Sequence, residues 1–190
     1  NDNLVDFFNI SLTTESTILS KALIKIVTKL CEKSPLELLN DLIASIIKQL
    51  QTQMDNYLSV KEAPRNSTKI IYIISQISST PHGKIFINSN SEISNLFGRL
   101  NEILKDKTIA TDNKYLTIFS LQLITNLICP AITLNKDLDF ILRCGSELPP
   151  SHLLENCISG LCSLLNFDPD DSDIEDEIYI NAIRALRYGC

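Results

Sequence analysis

The sequence has no tryptophan, one methionine, two histidines and only five glycines. With seven prolines as well, so little glycine excludes folds made of many tight hairpins and leaves long helices. No glycine-rich phosphate loop is present. No apolar run reaches the roughly 18 residues that a membrane helix needs. The longest window, Leu36 to Leu50, is interrupted by Glu37, Asp41 and Lys48, and no signal peptide is visible at Asn1. Basic residues are outnumbered, 17 Lys and Arg against 23 Asp and Glu, for a formal net charge of −6. That balance argues against a nucleic-acid binder, whose surface is normally basic. None of the six cysteines forms a C-x-x-C pair. Most sit in or beside apolar helical stretches, where a reduced cysteine acts as a small hydrophobe. We therefore expect a reducing, intracellular setting, cytoplasmic or nuclear, without a disulfide framework. In that setting the sequons at Asn9 and Asn66 carry no meaning.

What is present is helical periodicity. Residues 1–12 hold Leu4, Val5, Phe7 and Phe8 and suggest a short helix or turn. Thr13 or Thr14 caps a helix running to about Lys33, with Leu19, Ala22, Leu23, Ile26, Val27 and Leu30 on one face. Ser34-Pro35-Leu36-Glu37 is a capping box with proline at the first helical position. Its helix carries Leu39, Leu42, Ile43, Ile46, Ile47 and Leu50 and extends to Met54 or Leu58. A polar loop follows from Ser59 to Ser67.

Ile70 to Ile77 is rich in β-branched residues, which suit a buried strand. Yet Ile70, Ile73, Ile74 and Ile77 also form a helical stripe, and no second strand is available for pairing, so a helix is expected. Pro81-His82-Gly83 breaks it, with His82 in a solvent-exposed turn. Ile85 to Ile87 belongs to a short helix. Asn90 or Ser91 caps the next, which carries Ile93, Leu96, Phe97, Leu100, Ile103 and Leu104. After a loop, Tyr115 to Ile128 is apolar around so much of its circumference that burial on several sides is expected. A short helix at Leu138 to Leu142, one over Leu153 to Leu165 and a last one with Ile178, Ala182, Ile183 and Leu186 complete an all-α chain.

Ile70 to Leu104 is the clearest copy of a pattern echoed elsewhere. The stretch Ile73-Ile74-Ser75-Gln76-Ile77-Ser78, then Gly83-Lys84, Ile85-Phe86-Ile87 and Glu92-Ile93 with Leu96 and Leu100, resembles an armadillo-repeat junction. The helix end recurs around Lys29, Asn126 and Tyr188 at gaps of 47, 50 and 62 residues. Repeats of that family take about 40–47 residues. The resemblance implies a right-handed α-solenoid of about three to four repeats over a single domain, residues 1–190, either small and capped or part of a longer array. It further implies a non-catalytic protein-interaction or scaffold module, with a ridge of Lys29, Gln76, Asn126 and Tyr188 along a concave groove. Peptide-binding members hold a peptide backbone with asparagines and make pockets with tryptophans. Here asparagine stands at one of the four ridge positions and tryptophan is absent, so an importin-type ladder is not expected. Formin-type regulatory regions are a further analogy, and a self-associating structural domain is another reading.

Chemistry elsewhere is sparse. His152 with Cys157 and Cys162 lacks metal-ligand spacing. A Cys–His nucleophile pair is the remaining route to an enzyme on a helical scaffold, and is the least favoured reading. No cofactor or metal is expected. The acidic loop at 167–177 holds Asp170, Asp171, Asp173, Glu175, Asp176 and Glu177, but lacks a calcium loop's glycine and contains Pro169. It reads as a solvated loop, as a docking site for a basic partner, or as the setting for phosphorylation of Ser172 by an acidophilic kinase.

Overall fold

The computed structural model describes residues 6–7, 10, 16–33, 36–60, 67–90, 92–106, 108, 112–128, 151–166 and 176–189. Among them the chain is helical and contains no strand. Eight helices carry the packing: α1 (Thr17–Lys33), α2 (Leu36–Val60), α3 (Ser67–Ser78), α4 (Pro81–Asn88), α5 (Ile93–Lys105), α6 (Lys114–Ile128), α7 (Ser151–Leu165) and α8 (Asp176–Gly189). The helices expected within residues 1–12 and at Leu138 to Leu142 lie outside the described residues, apart from helical backbone at 6–7 and 10.

Neighbour relations form two rows. One runs α1, α3, α6, α8; the other runs α2, α5, α7. The rows face each other, with α2 on α3, α5 on α6 and α7 on α8. In each row one pair of neighbours can be followed along its length, and both pairs, α3 with α6 and α2 with α5, point the same way. Thr68 and Tyr115 line one cleft near the starts of α3 and α6, Tyr72 packs against Phe119 midway, and Ser78 meets Asn126 at the far ends. In the other row, Gln51 Nε2 donates to the Glu92 carbonyl at 3.0 Å, and further along Asp55 pairs with Arg99 at 2.5 Å. Gly160 gives α7 its close approach to α5: a Cβ there would meet Asn101 Oδ1 at 2.5 Å.

The core lies between the rows. All six apolar residues expected in α2, from Leu39 to Leu50, are buried, as are all six in α5. Each such side chain contributes roughly 1.5–3 kcal/mol through removal from water. In α6, Leu116, Ile118, Leu121, Leu123, Ile124, Leu127 and Ile128 are all buried, as are Thr117 and Ser120. The helix is thus enclosed on several sides, and Ser120 Oγ satisfies itself by donating to the Leu116 carbonyl at 2.7 Å.

Three expectations are corrected. In α1 the buried positions are Ser20, Leu23, Val27 and Cys31, whereas Leu19 and Ile26 are exposed. The apolar residues of α1 divide between two faces, and its position at the end of a row leaves one face uncovered. Secondly, α2 runs on to Val60, beyond Leu58. Thirdly, Pro81-His82-Gly83 is not a turn but the first turn of α4, and His82 is half-buried. The break is Ser79-Thr80. The hydroxyls of Ser75, Ser78, Ser79 and Thr80 each donate to the carbonyl three residues back, at 2.6–2.8 Å, and so satisfy carbonyls at the end of α3. Thr80 then caps α4: its Oγ1 accepts from the Gly83 amide at 3.2 Å, and Pro81 occupies the first turn, where its missing N–H costs nothing. A Cβ on Gly83 would collide with the Ile77 carbonyl, so glycine is what lets α4 begin so close to the end of α3.

Candidate functional site

The row α1–α3–α6–α8 carries a stripe that burial does not consume. On α6, Tyr115, Phe119, Gln122 and Asn126 follow at helical spacing, and none is fully buried. On α3, Tyr72 and Gln76 form the matching half-buried pair. Three aromatic rings join the two helices. Phe119 lies 5.1 Å from Tyr72, tilted by 53°, and 6.3 Å from Tyr115, at 26°. Tyr115 is 61% exposed, and Lys114 Nζ lies 5.4 Å from its ring centroid. Beside it, Thr68, Asp112, Asn113 and Lys114 border a cleft of about 330 Å³. Such a surface offers flat apolar area, phenol hydroxyls and a cation within one patch, a combination suited to binding a side chain or peptide segment.

The four ridge residues differ in what they do here. Asn126 faces inward along the row: its Nδ2 donates to the Ser75 carbonyl at 2.9 Å and to Ser78 Oγ at 3.2 Å, tying α6 to α3. Gln76 is half-buried on the neighbouring helix. Lys29 is exposed and ion-paired with Glu32 at 2.7 Å, and that hydrogen bond holds the Glu32 carboxyl below its usual range. The Tyr188 side chain lies outside the described residues. A second asparagine ties α4 to α6: Asn88 Nδ2 donates to the Leu127 carbonyl at 3.2 Å.

Sequence reasoning passed over Tyr72, Phe119 and Tyr115. The available signal was the i, i+4 pair Tyr115/Phe119 on α6. Tyr72, embedded among isoleucines, joins them only through contact with a residue 47 positions away.

Asp176 and Glu177 are exposed in the first turn of α8, where carboxylates favour helix initiation. Asp170, Asp171, Ser172, Asp173 and Glu175 lie outside the described residues, as does the His152 side chain. Cys157 is buried, and desolvation pushes its thiol up to about 12, which makes it a poor nucleophile at neutral pH. Cys162 is exposed. A second cleft, between α2 and α5, contains Arg99, but Asp55 and Glu102 neutralise it at 2.5 and 3.2 Å. Among the described residues, no group of three or more His, Cys, Asp or Glu could hold a metal ion, and no helix is long and apolar enough to cross a membrane. Comparison with family models, with characterised proteins and with solved structures returns no match to this chain.

Proposed function

We propose that the chain is a non-catalytic protein-interaction module, a short α-solenoid of armadillo type that takes a partner peptide or helix along the open face of its first row. Two rows of helices, each contacting the next, support the solenoid reading. The observation that carries the binding reading is the partly exposed group Tyr72–Phe119–Tyr115, which bridges α3 and α6. Aromatic side chains of this kind supply most of the affinity at protein interfaces, and Tyr115 keeps 61% of its surface open. The ridge contributes through Lys29 and Gln76, while Asn126 acts within the fold. The acidic loop 167–177 is a second place where a basic partner would engage.

The test is recovery of partners by the immobilised chain and by its Tyr115→Ala and Gln76→Ala variants. A third variant neutralises Asp170, Asp171, Asp173, Glu175, Asp176 and Glu177. Loss of a recovered partner with Tyr115→Ala, at an unchanged melting temperature, supports the open face. Loss only in the neutralised variant transfers recognition to the acidic loop. Undiminished recovery by all three rejects both surfaces.

A further inference from the structure

Among the described residues the first row ends at α1 and α8, and each presents apolar side chains to solvent. On α1, Ile18 is 78% exposed and Ile26 39%; on α8, Ile180 is 49% exposed and Ile183 57%. In α1 the buried side is Ser20, Leu23, Val27 and Cys31, so Ile18, Ile26 and Lys25 fall on the side turned away from the core.

Charge decides the occupant. The outer side of α1 carries Lys21, Lys25, Lys29 and Lys33 against one carboxylate, Glu32, already bonded to Lys29. It is a basic, isoleucine-bearing helix face on a chain whose net charge is −6. We propose that it docks an acidic amphipathic helix from a partner protein, laid parallel to α1 as the next member of the row. The partner's apolar stripe covers Ile18 and Ile26, and its flanking carboxylates meet Lys21, Lys25 and Lys33. This surface is separate from the aromatic group on α3 and α6.

The probe is a fluorescein-labelled synthetic peptide of about four helical turns, with leucines at i, i+3, i+4, i+7 and glutamates flanking them. A control peptide replaces every glutamate by lysine. Anisotropy titrations use the full chain and its Ile18→Glu, Lys25→Glu and Tyr115→Ala variants, each first checked for an unchanged circular-dichroism melting curve. The expected result is binding of the acidic peptide only, weakened by salt and by about tenfold or more in Ile18→Glu and Lys25→Glu. Tyr115→Ala leaves it unchanged, so this result stands or falls apart from the open-face reading. Failure of the acidic peptide to bind, equal binding of both peptides, or indifference to Lys25→Glu overturns the proposal. Two further outcomes also overturn it. Lys25-dependent binding to phosphatidylserine vesicles without peptide binding makes the face a membrane contact. Concentration-dependent self-association abolished by Ile18→Glu makes the occupant a second copy.

Discussion

Replacing Gly83 and Gly98 by alanine, one at a time, should move stability in opposite directions. Both glycines lie within helices, and helix propensity alone favours alanine at each by about 1 kcal/mol. At Gly98 nothing lies within 4 Å of the added Cβ, so Gly98→Ala is expected to stabilise by ~0.5–1 kcal/mol. At Gly83 the new Cβ runs into the Ile77 carbonyl and comes within 2.8 Å of both Ile77 Cγ2 and Thr80 Oγ1. The carbonyl is backbone and cannot rotate away. Its neighbourhood is held by Thr80, whose amide and hydroxyl both donate to it, at 3.2 and 2.8 Å. Overpacking of this kind costs ~1–3 kcal/mol. Displacing Thr80 Oγ1 removes the cap of α4 for about another 1 kcal/mol. Set against the propensity gain, Gly83→Ala should lose ~1–3 kcal/mol net. Each kcal/mol lowers the melting temperature of a chain this size by roughly 2–4 °C. Urea titration and thermal melts followed at 222 nm measure both variants. A Gly83→Ala protein as stable as its parent, or a Gly98→Ala protein as damaged as Gly83→Ala, would refute the close approach of α3 and α4.

Asn126→Ala should destabilise by about 1–2 kcal/mol through loss of its bonds to Ser75 and Ser78, whereas Gln76→Ala should stay within about 0.5 kcal/mol of the parent, as urea titration will show. Under native conditions a maleimide should label Cys162 within minutes and Cys157 only after denaturant is added, a difference read by peptide mass spectrometry. Cys157 should also make stability fall as pH rises above 9. The unfolded thiol loses its proton there, while the folded one keeps it to about 12, so the unfolded state gains. Cys157→Ala should flatten that part of the pH–stability curve.

The helices that were easiest to read in the sequence are those with a neighbour on every apolar side. The stripes of α2, from Leu39 to Leu50, and of α5 are complete, because these residues face the core and period 3.6 is the main constraint acting on them. The reading of α1 mixed inward Leu23 and Val27 with outward Leu19 and Ile26, since no local rule tells a terminal helix which apolar residues have lost their cover. Pro81 and Gly83 look like breakers in isolation. Only the hydroxyl pattern Ser78-Ser79-Thr80 shows that one helix is being closed and the next opened there. Asn126 was legible as special, but its role depends on Ser75 and Ser78, 51 and 48 residues away. The aromatic group was not legible for the same reason, being assembled from two helices that the sequence treats separately.

Three side-chain bonds that stitch one helix to another, Gln51 to Glu92, Asn88 to Leu127 and Asn126 to Ser75, span 41, 39 and 51 residues. Loop-closure entropy varies with the logarithm of the span, so these closures differ by only about 0.2 kcal/mol. None of the three is a distant closure on which the others must wait. Assembly can therefore start at any adjacent trio of helices and spread outward. Amide hydrogen exchange should then be slowest in α3, α5 and α6, which have neighbours on both sides, and should quicken toward α1 and α8, where opening exposes the least new surface. Proteolysis would then begin at α1 and α8 and remove them before the helices between them unfold.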